Sequence, residues 1–182
     1  MFHGDVKPMD GLDILLKALV EVIPRFPNIR VLIVGGGGKY FEEIKRSASV
    51  LGLSHYIIFT GWIPHDMVPS YIAAADIGLM PLRSTLETNC YLSFKLFEYW
   101  AMAKPVIVSD VRAIGRLVSD GINGYVAESG STTSFAEAMC RALGDLHNAK
   151  LMGLKGRELV EQNFDWDKLM SQEAKLYQQL GN

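Results

Sequence analysis

An amphipathic helix running directly into a buried strand, at residues 93–110, is the sequence feature that most constrains this fold. Ser93 suits a helix N-cap, and Pro105 ends the helix. Residues 106–108 then form a short apolar run that is typical of a buried strand. The apolar residues that recur at helical spacing are Phe94, Leu96, Phe97, Trp100 and Ala101.

The same alternation of strand and helix continues along the rest of the chain. Apolar runs predict strands at residues 29–34, 56–59, 77–80 and 124–126, the last at an edge, with Phe2 and His3 left for a strand at the start. Helical patterns cover residues 12–23, 40–51, 66–75, 114–118, 133–146, 149–162 and 166–180. This order predicts an α/β fold with a parallel sheet covered by helices on both faces.

Composition excludes several classes of protein. The 182 residues are 49% hydrophobic and 21% charged, which is enough apolar surface for a folded core. The net charge is −2 with no basic run, so no nucleic-acid partner is expected. Cys90 and Cys140 form no CxxC pair, and the four histidines lack metal-ligand spacing. No metal site is therefore expected.

Cellular location follows from the same features. No signal peptide is visible at the start, and Asp76 interrupts the apolar residues 71–82 before they reach the roughly 20 residues of a membrane span. Two unpaired cysteines suit a reducing compartment. We expect a soluble, cytoplasmic protein.

Ligands of parallel α/β sheets bind outside the carboxyl ends of the strands. The segments expected there are the glycine run 35–38, the segment 60–62, the segment 81–83 and the pair 109–110. These loops are where we expect a site.

The glycine run fits no nucleotide fingerprint completely. A dinucleotide motif starting at Gly35 and Gly37 would place Tyr40 at its third glycine, and Gly38-Lys39 lacks the spacing of a P-loop. Gly35, Gly36 and Gly37 remain as a loop without side chains. Such a loop either lets a ligand approach the backbone or serves as a flexible turn.

Two charged residues lie near the start of the helix at residues 93–101. The helix start favours an anion, so a phosphate bound there would lie beside Lys95. Glu98 would then accept hydrogen bonds from ligand hydroxyls. The alternative is a surface ion pair between Lys95 and Glu98 at i,i+3 spacing.

Trp62 and Arg83 each allow two interpretations. The Trp62 ring would stack on a base or sugar, or else pack against the helix at residues 66–75. The Arg83 guanidinium would reach a phosphate, or else remain a solvated loop side chain.

Taken together, the motifs resemble the donor-binding, carboxyl-terminal domain of the GT-B-fold retaining glycosyltransferases of group 1. The segments that carry the resemblance, in the family's order, are GLDILLKAL, VLIVGGGGKY, IIFTGWIPHDMVPSYIAAADIGLMPL, SFKLFEYWAMAKPVIVSD, DGINGYV and FDWDKLMSQEAKLYQQL.

The resemblance implies a Rossmann-like domain over residues 1–164 and a crossover helix over residues 165–182. That helix has an apolar stripe of Trp166, Leu169, Met170, Tyr177 and Leu180, which would pack on an absent amino-terminal acceptor domain. Any membrane contact would be made through that absent half.

The resemblance also implies the ligand and the site residues. The substrate would be a nucleotide sugar, UDP- or GDP-linked, with no other cofactor and no bound metal. Glu98 matches the glutamate that binds the ribose, and the backbone of Ser93 and Phe94 matches the loop that meets the diphosphate. The glycine loop and residues 60–62 match regions near the nucleotide. Lys95 and Glu98 are the expected catalytic pair.

Several positions depart from the family pattern. An arginine and a lysine that grip the diphosphate are replaced by Asp5 and Asp10, and two carboxylates facing a diphosphate would repel it. Lys7, Lys95 and Arg83 are candidate substitutes. Cys90 stands where the family has the first glutamate of its paired-glutamate motif. Arg116 stands where the family has the glutamate of its Gly-Gly-x-x-Glu motif.

Three functional hypotheses therefore remain open at this point. The first is the donor-binding domain of a glycosyltransferase. The second is a noncatalytic nucleotide- or sugar-binding module of the same fold, which the substitutions at Asp5, Asp10 and Cys90 favour. The third is a sugar-nucleotide epimerase or a phosphorylase of the same two-domain architecture.

Overall fold

The computed structural model describes residues 1–180 and contains six strands and eight α-helices within them. The strands are β1 (Phe2–His3), β2 (Val31–Val34), β3 (Ile57–Gly61), β4 (Gly78–Met80), β5 (Val106–Ser109) and β6 (Tyr125–Ala127). The helices are α1 (Leu12–Val22), α2 (Gly38–Val50), α3 (Val68–Ala74), α4 (Leu86–Cys90), α5 (Phe94–Ala101), α6 (Thr132–Gly144), α7 (Leu146–Asn163) and α8 (Trp166–Leu180).

All the strands are parallel, as the alternating pattern predicted. Hydrogen bonds form two ladders, β1-β2-β3 and β4-β5-β6, and the register between β2 and β3 shifts once, between Ile33 and Val34. Met1 joins them, because its amino group donates to the Ile77 carbonyl at 2.7 Å and its carbonyl accepts from the Leu79 amide at 2.8 Å. The strand order is therefore β3-β2-β1-β4-β5-β6, which is doubly wound about the point between β1 and β4.

One prediction about local structure was wrong, and one helix was missed. Residues 112–117 form successive turns rather than the helix expected at 114–118, and Gly115 lies in the middle of them. Helix α4 was not predicted, because its N-cap box pairs Thr85 with Thr88 instead of the usual Glu or Gln.

The core lies on both faces of the sheet. On one face α1 packs against α6, and on the other α5 packs against α7. Trp100 of α5 is fully buried, and its indole N–H donates to the Asn123 carbonyl at 3.1 Å. A Cβ atom on Gly156 of α7 would lie 2.1 Å from the Trp100 ring, so only glycine permits this approach. These contacts fix α5, whose amino end carries Lys95 and Glu98.

Helix α8 leaves much of its apolar side in solvent. Trp166, Met170 and Tyr177 of the predicted stripe are exposed, and Leu169 is half-buried. The side chain of Leu180 and residues 181–182 lie outside the described residues. Of the helices described, none combines the length and apolar character that a bilayer crossing needs.

Candidate donor-nucleotide site

The loops that follow β1 to β5 lie at one edge of the sheet, because all five strands point the same way. The amino end of α5 reaches this edge as well. A Cβ atom on Gly4, just after β1, would lie 2.7 Å from Cε of Lys95. The structure thus brings the first loop and the predicted pair Lys95 and Glu98 together.

Lys95 is held in a nearly buried ion pair. Its Nζ lies 2.9 Å from Oδ1 of Asp10, with the two side chains 17% and 5% exposed. The ammonium also lies 4.7 Å from the centre of the Phe2 ring, a cation–π arrangement. Asp10 Oδ2 accepts the Lys7 backbone N–H at 2.9 Å. The predicted alternative, an ion pair between Lys95 and Glu98, is not formed.

Both carboxylates of the acidic first loop form ion pairs with lysines. Besides the pair of Asp10 and Lys95, Asp5 lies 3.7 Å from Nζ of Lys7 at the surface. The repulsion expected from two bare carboxylates is therefore largely compensated within the fold.

Arg83 is paired with Asp13, a residue that sequence reasoning did not identify. The Arg83 guanidinium donates to Asp13 Oδ2, and the Tyr40 hydroxyl donates to Asp13 Oδ1 at 3.4 Å. Burial, and then the Asp13 charge, raise the pKa of Tyr40 to about 12. Asp13 lies in the first turn of α1, and only the tertiary structure places it beside the loop after β4.

His3 is a second residue of the site that the sequence did not reveal. It is 4% exposed, and its Nε2 lies 3.4 Å from Oε2 of Glu98 but has no well-aligned hydrogen bond. Burial, then the positive charges of Lys95, the Met1 amino group and His65, lower the pKa of His3 to about 4. Burial also raises the pKa of Glu98. The imidazole that lies against Glu98 is therefore neutral at neutral pH.

The glycine loop approaches the first loop closely. The Gly35 amide donates to the Gly61 carbonyl at 2.9 Å, and the Gly4 amide donates to the Val34 carbonyl at 2.9 Å. A Cβ atom on Gly35, at φ +93°, would lie 2.7 Å from the Gly4 carbonyl oxygen. Gly37 faces open space and is the N-cap of α2 without a side-chain cap. The backbone there is accessible to a ligand.

The start of α5 also lacks a cap. Ser93 occupies the N-cap position and is buried, but its hydroxyl makes no capping hydrogen bond. Within residues 1–180, no group accepts a hydrogen bond from the backbone N–H of Phe94 or Lys95. Phe94 itself is 79% exposed. Two donors therefore point out of the helix start, as an anion site requires.

Trp62 extends into solvent and is 78% exposed. The predicted alternative, packing against α3, is therefore wrong. The ring is accessible at the carboxyl end of β3, on the same edge as the glycine loop.

A sizeable cavity lies elsewhere in the described part of the chain. Its volume is about 680 Å³, and its lining includes Met1, Ile29, Asp76 and Ile77, at the amino ends of the strands. This is the edge of the sheet opposite Lys95 and Glu98. Ligands of doubly wound sheets bind at the other edge, so this cavity is not the candidate site.

Comparison with known proteins agrees with the motifs. The family model described as Glycosyl transferases group 1 matches residues 1–145. The chain is similar to the GDP-mannose-dependent alpha-(1-6)-phosphatidylinositol monomannoside mannosyltransferase of Mycolicibacterium smegmatis. The two are 33% identical over 162 residues, and the match covers 87% of this chain and 42% of the relative. The chain thus spans less than half the length of that relative.

Solved structures show the same fold. HepE from Anabaena, in complex with UDP-glucose, superposes with a TM-score of 0.86 at 22% identity, covering 98% of this chain and 48% of HepE. The C-terminal domain of the group 1 family protein LpcC from Francisella tularensis gives a TM-score of 0.77 at 20% identity, covering 91% of this chain and 86% of that domain. Both the family and the Rossmann-like half of a GT-B architecture expected from the motifs are confirmed. This chain belongs to the group 1 glycosyltransferases.

Proposed function

We propose that this chain binds the donor of a nucleotide-sugar-dependent glycosyltransferase. The observation that carries the proposal is the uncapped start of α5, with two backbone donors, beside Lys95 and Glu98 at the carboxyl edge of the sheet. A diphosphate has the charge and the oxygen acceptors that this group of donors would bind.

In this proposal, different residues bind different parts of the nucleotide. The backbone N–H groups of Phe94 and Lys95 bind phosphate oxygens, and the Lys95 ammonium adds a positive charge. Glu98, with His3 behind it, accepts hydrogen bonds from the ribose hydroxyls. The glycine loop lets the nucleotide approach the backbone of Gly37, and the exposed Trp62 ring offers a stacking surface. Arg83 is a further phosphate ligand only if it leaves Asp13.

The chemistry follows from that arrangement. As the bond from sugar to phosphate breaks, negative charge accumulates on the departing diphosphate. Lys95 and the helix start stabilise that charge. The resemblance to the retaining enzymes adds that the transferred sugar keeps its anomeric configuration.

An acceptor-binding half completes the enzyme in this proposal. The exposed apolar residues of α8, Trp166 and Tyr177 among them, suit a helix that packs on that second domain. We therefore expect the 182 residues alone to give no sugar transfer in a radiolabelled-donor assay. Sustained turnover by this chain alone would contradict the need for the second half.

A noncatalytic binding module of the same fold is the second candidate. The observation that favours it is the ion pair of Lys95 with Asp10, because a diphosphate must compete with a nearly buried carboxylate for the ammonium. Binding without transfer in the complete two-domain protein would support this candidate.

Replacing Glu98 with alanine is expected to weaken nucleotide binding by about 1–3 kcal/mol, the cost of losing a hydrogen bond to a charged group. The measurement is calorimetric titration with UDP, GDP and ADP and their sugar conjugates. UDP and GDP come first, because HepE was solved with UDP-glucose and the relative is named as GDP-mannose-dependent.

Glu21→Ala serves as the matched control, since Glu21 is exposed near the carboxyl end of α1, at the opposite edge of the sheet. It should bind like the native chain. If none of the three diphosphates binds at millimolar concentration, or if both variants lose affinity equally, the proposed site is wrong.

A further inference from the structure

Two positions that depart from the family pattern line the same small cavity. Cys90, at the end of α4, and Arg116, in the turns after β5, border a space of about 330 Å³. Arg112 also lines it. Glutamates expected at residues 90 and 116 are thus replaced by a thiol and a guanidinium, and a second guanidinium lies beside them.

The cavity is positively charged. Arg112 and Arg116 are four residues apart in successive turns, and both line the cavity. No acidic side chain lines the cavity, and neither guanidinium forms an ion pair with a described residue. Two guanidinium groups that border one cavity with no acidic side chain in its lining offer an anion several N–H donors.

The backbone around the cavity is fixed. The Arg112 amide donates to Oδ1 of Asn89 at 2.8 Å, which ties the turns after β5 to α4. The Asn89 amide group in turn donates to the Ser84 hydroxyl at 2.8 Å. The main chain at Arg112 is therefore anchored, although the side chains of Arg112 and Arg116 are exposed.

The cavity adjoins the proposed diphosphate site. Leu92 lines it, and the next residue along the chain is Ser93, the N-cap of α5. A sugar attached to a diphosphate at that helix start, or an acceptor about to receive it, would lie at the mouth of the cavity.

We propose that Arg112 and Arg116 bind an anionic group, a carboxylate or a phosphate, carried by the transferred sugar or by the acceptor. Paired guanidinium groups match both anions, because each presents forked N–H donors to two oxygens. This inference rests on the proposed donor site, since it is that site which brings a sugar to the cavity.

The test compares neutral and acidic ligands on the native chain and on the variant Arg112→Ala/Arg116→Ala. The donor ligands are UDP-glucose against UDP-glucuronic acid, and GDP-mannose against GDP-mannuronic acid, each titrated beside the free diphosphate. The acceptor ligands are glucose against glucose 6-phosphate, in the presence of saturating diphosphate. Arg46→Ala is the control, because Arg46 is exposed on α2 and forms no ion pair with a described residue.

We expect the native chain to prefer the acidic member of one pair by about 10-fold or more, and the double variant to lose that preference while keeping its affinity for the free diphosphate. Preference for the glucuronic or mannuronic conjugate assigns the anion to the donor sugar, and preference for glucose 6-phosphate assigns it to the acceptor. Equal affinity within every pair, with the diphosphate bound, overturns this inference alone. Failure of every diphosphate to bind overturns the donor site and this inference with it.

Discussion

Lys95→Met is expected to destabilise the folded chain by about 3–5 kcal/mol, the usual cost of removing one partner from a buried ion pair. The change leaves Asp10 5% exposed, with the Lys7 backbone N–H as its remaining hydrogen-bond donor among the described residues. It also removes the cation from the Phe2 ring. The measurement is the free energy of unfolding from urea titrations at pH 7, with the native chain in parallel.

A double-mutant cycle separates the pair from its surroundings. Asp10→Asn alone leaves Lys95 with an uncharged partner, whereas Lys95→Met with Asp10→Asn removes both charges. We expect the double variant to be more stable than the sum of the two single losses implies, by at least about 1 kcal/mol. A loss below about 1 kcal/mol for Lys95→Met would show that the pair behaves like an exposed one.

This pair connects stability with the proposed function. It ties the loop after β1 to the first turn of α5, the two segments that meet a diphosphate in the proposal. Lys95→Met should therefore also weaken diphosphate binding. A destabilised fold would weaken binding too. Affinity should therefore be measured without urea, at a temperature at which circular dichroism shows the variant to be folded.

The second large effect is a loss of stability in acid that originates at His3. Its pKa is about 4 in the folded chain against 6.5 for a free histidine, so the unfolded chain binds a proton more readily. The contribution of His3 to the free energy of unfolding is therefore complete above pH 6.5, and it is lost as the pH falls from 6.5 towards 4. Its full size is about 3 kcal/mol, from a shift of roughly 2.5 pH units. Urea titrations at pH 7.5, 6, 5 and 4 measure it.

His3→Leu is the matched variant, because leucine is apolar and fits a buried position. It should be at least as stable as the native chain at pH 5, since it has no group that must be kept uncharged. Glu98 acts in the opposite direction, because its raised pKa favours the folded chain in acid. Glu98 is present in both the native chain and the His3→Leu variant, so the comparison between them isolates His3. Parallel stability curves for the two proteins between pH 7.5 and 4 would rule out the assignment to His3.

The pattern of apolar runs was sufficient to predict most of the fold. The buried strand at residues 106–108 is β5, and the predicted edge strand is β6 at the end of the strand order. Such signals are local: a run of three or four apolar residues next to an amphipathic helix has few alternatives in an α/β protein. Weak signals failed, as at α4 and in the turns around Gly115.

The sequence also placed Glu98 and Lys95 at the start of one helix and the glycine loop at the end of one strand. It could not indicate which groups these residues would meet. Lys95 was expected to face Glu98 or a phosphate, yet its partner is Asp10, 85 residues earlier in the chain. The acidic first loop looked unfavourable for a diphosphate because the cation that pairs with Asp10 comes from α5.

By itself, then, the sequence determined the strands, most of the helices, the parallel sheet and the family, because each depends on the spacing of neighbouring residues. Only the tertiary structure decided that Asp10 pairs with Lys95, that His3 lies behind Glu98, and that Cys90 and Arg116 border one cavity. The physical reason is that these interactions join residues brought together by strand order and helix packing. Their strength depends on burial and charge at close range, which no local pattern of residues specifies.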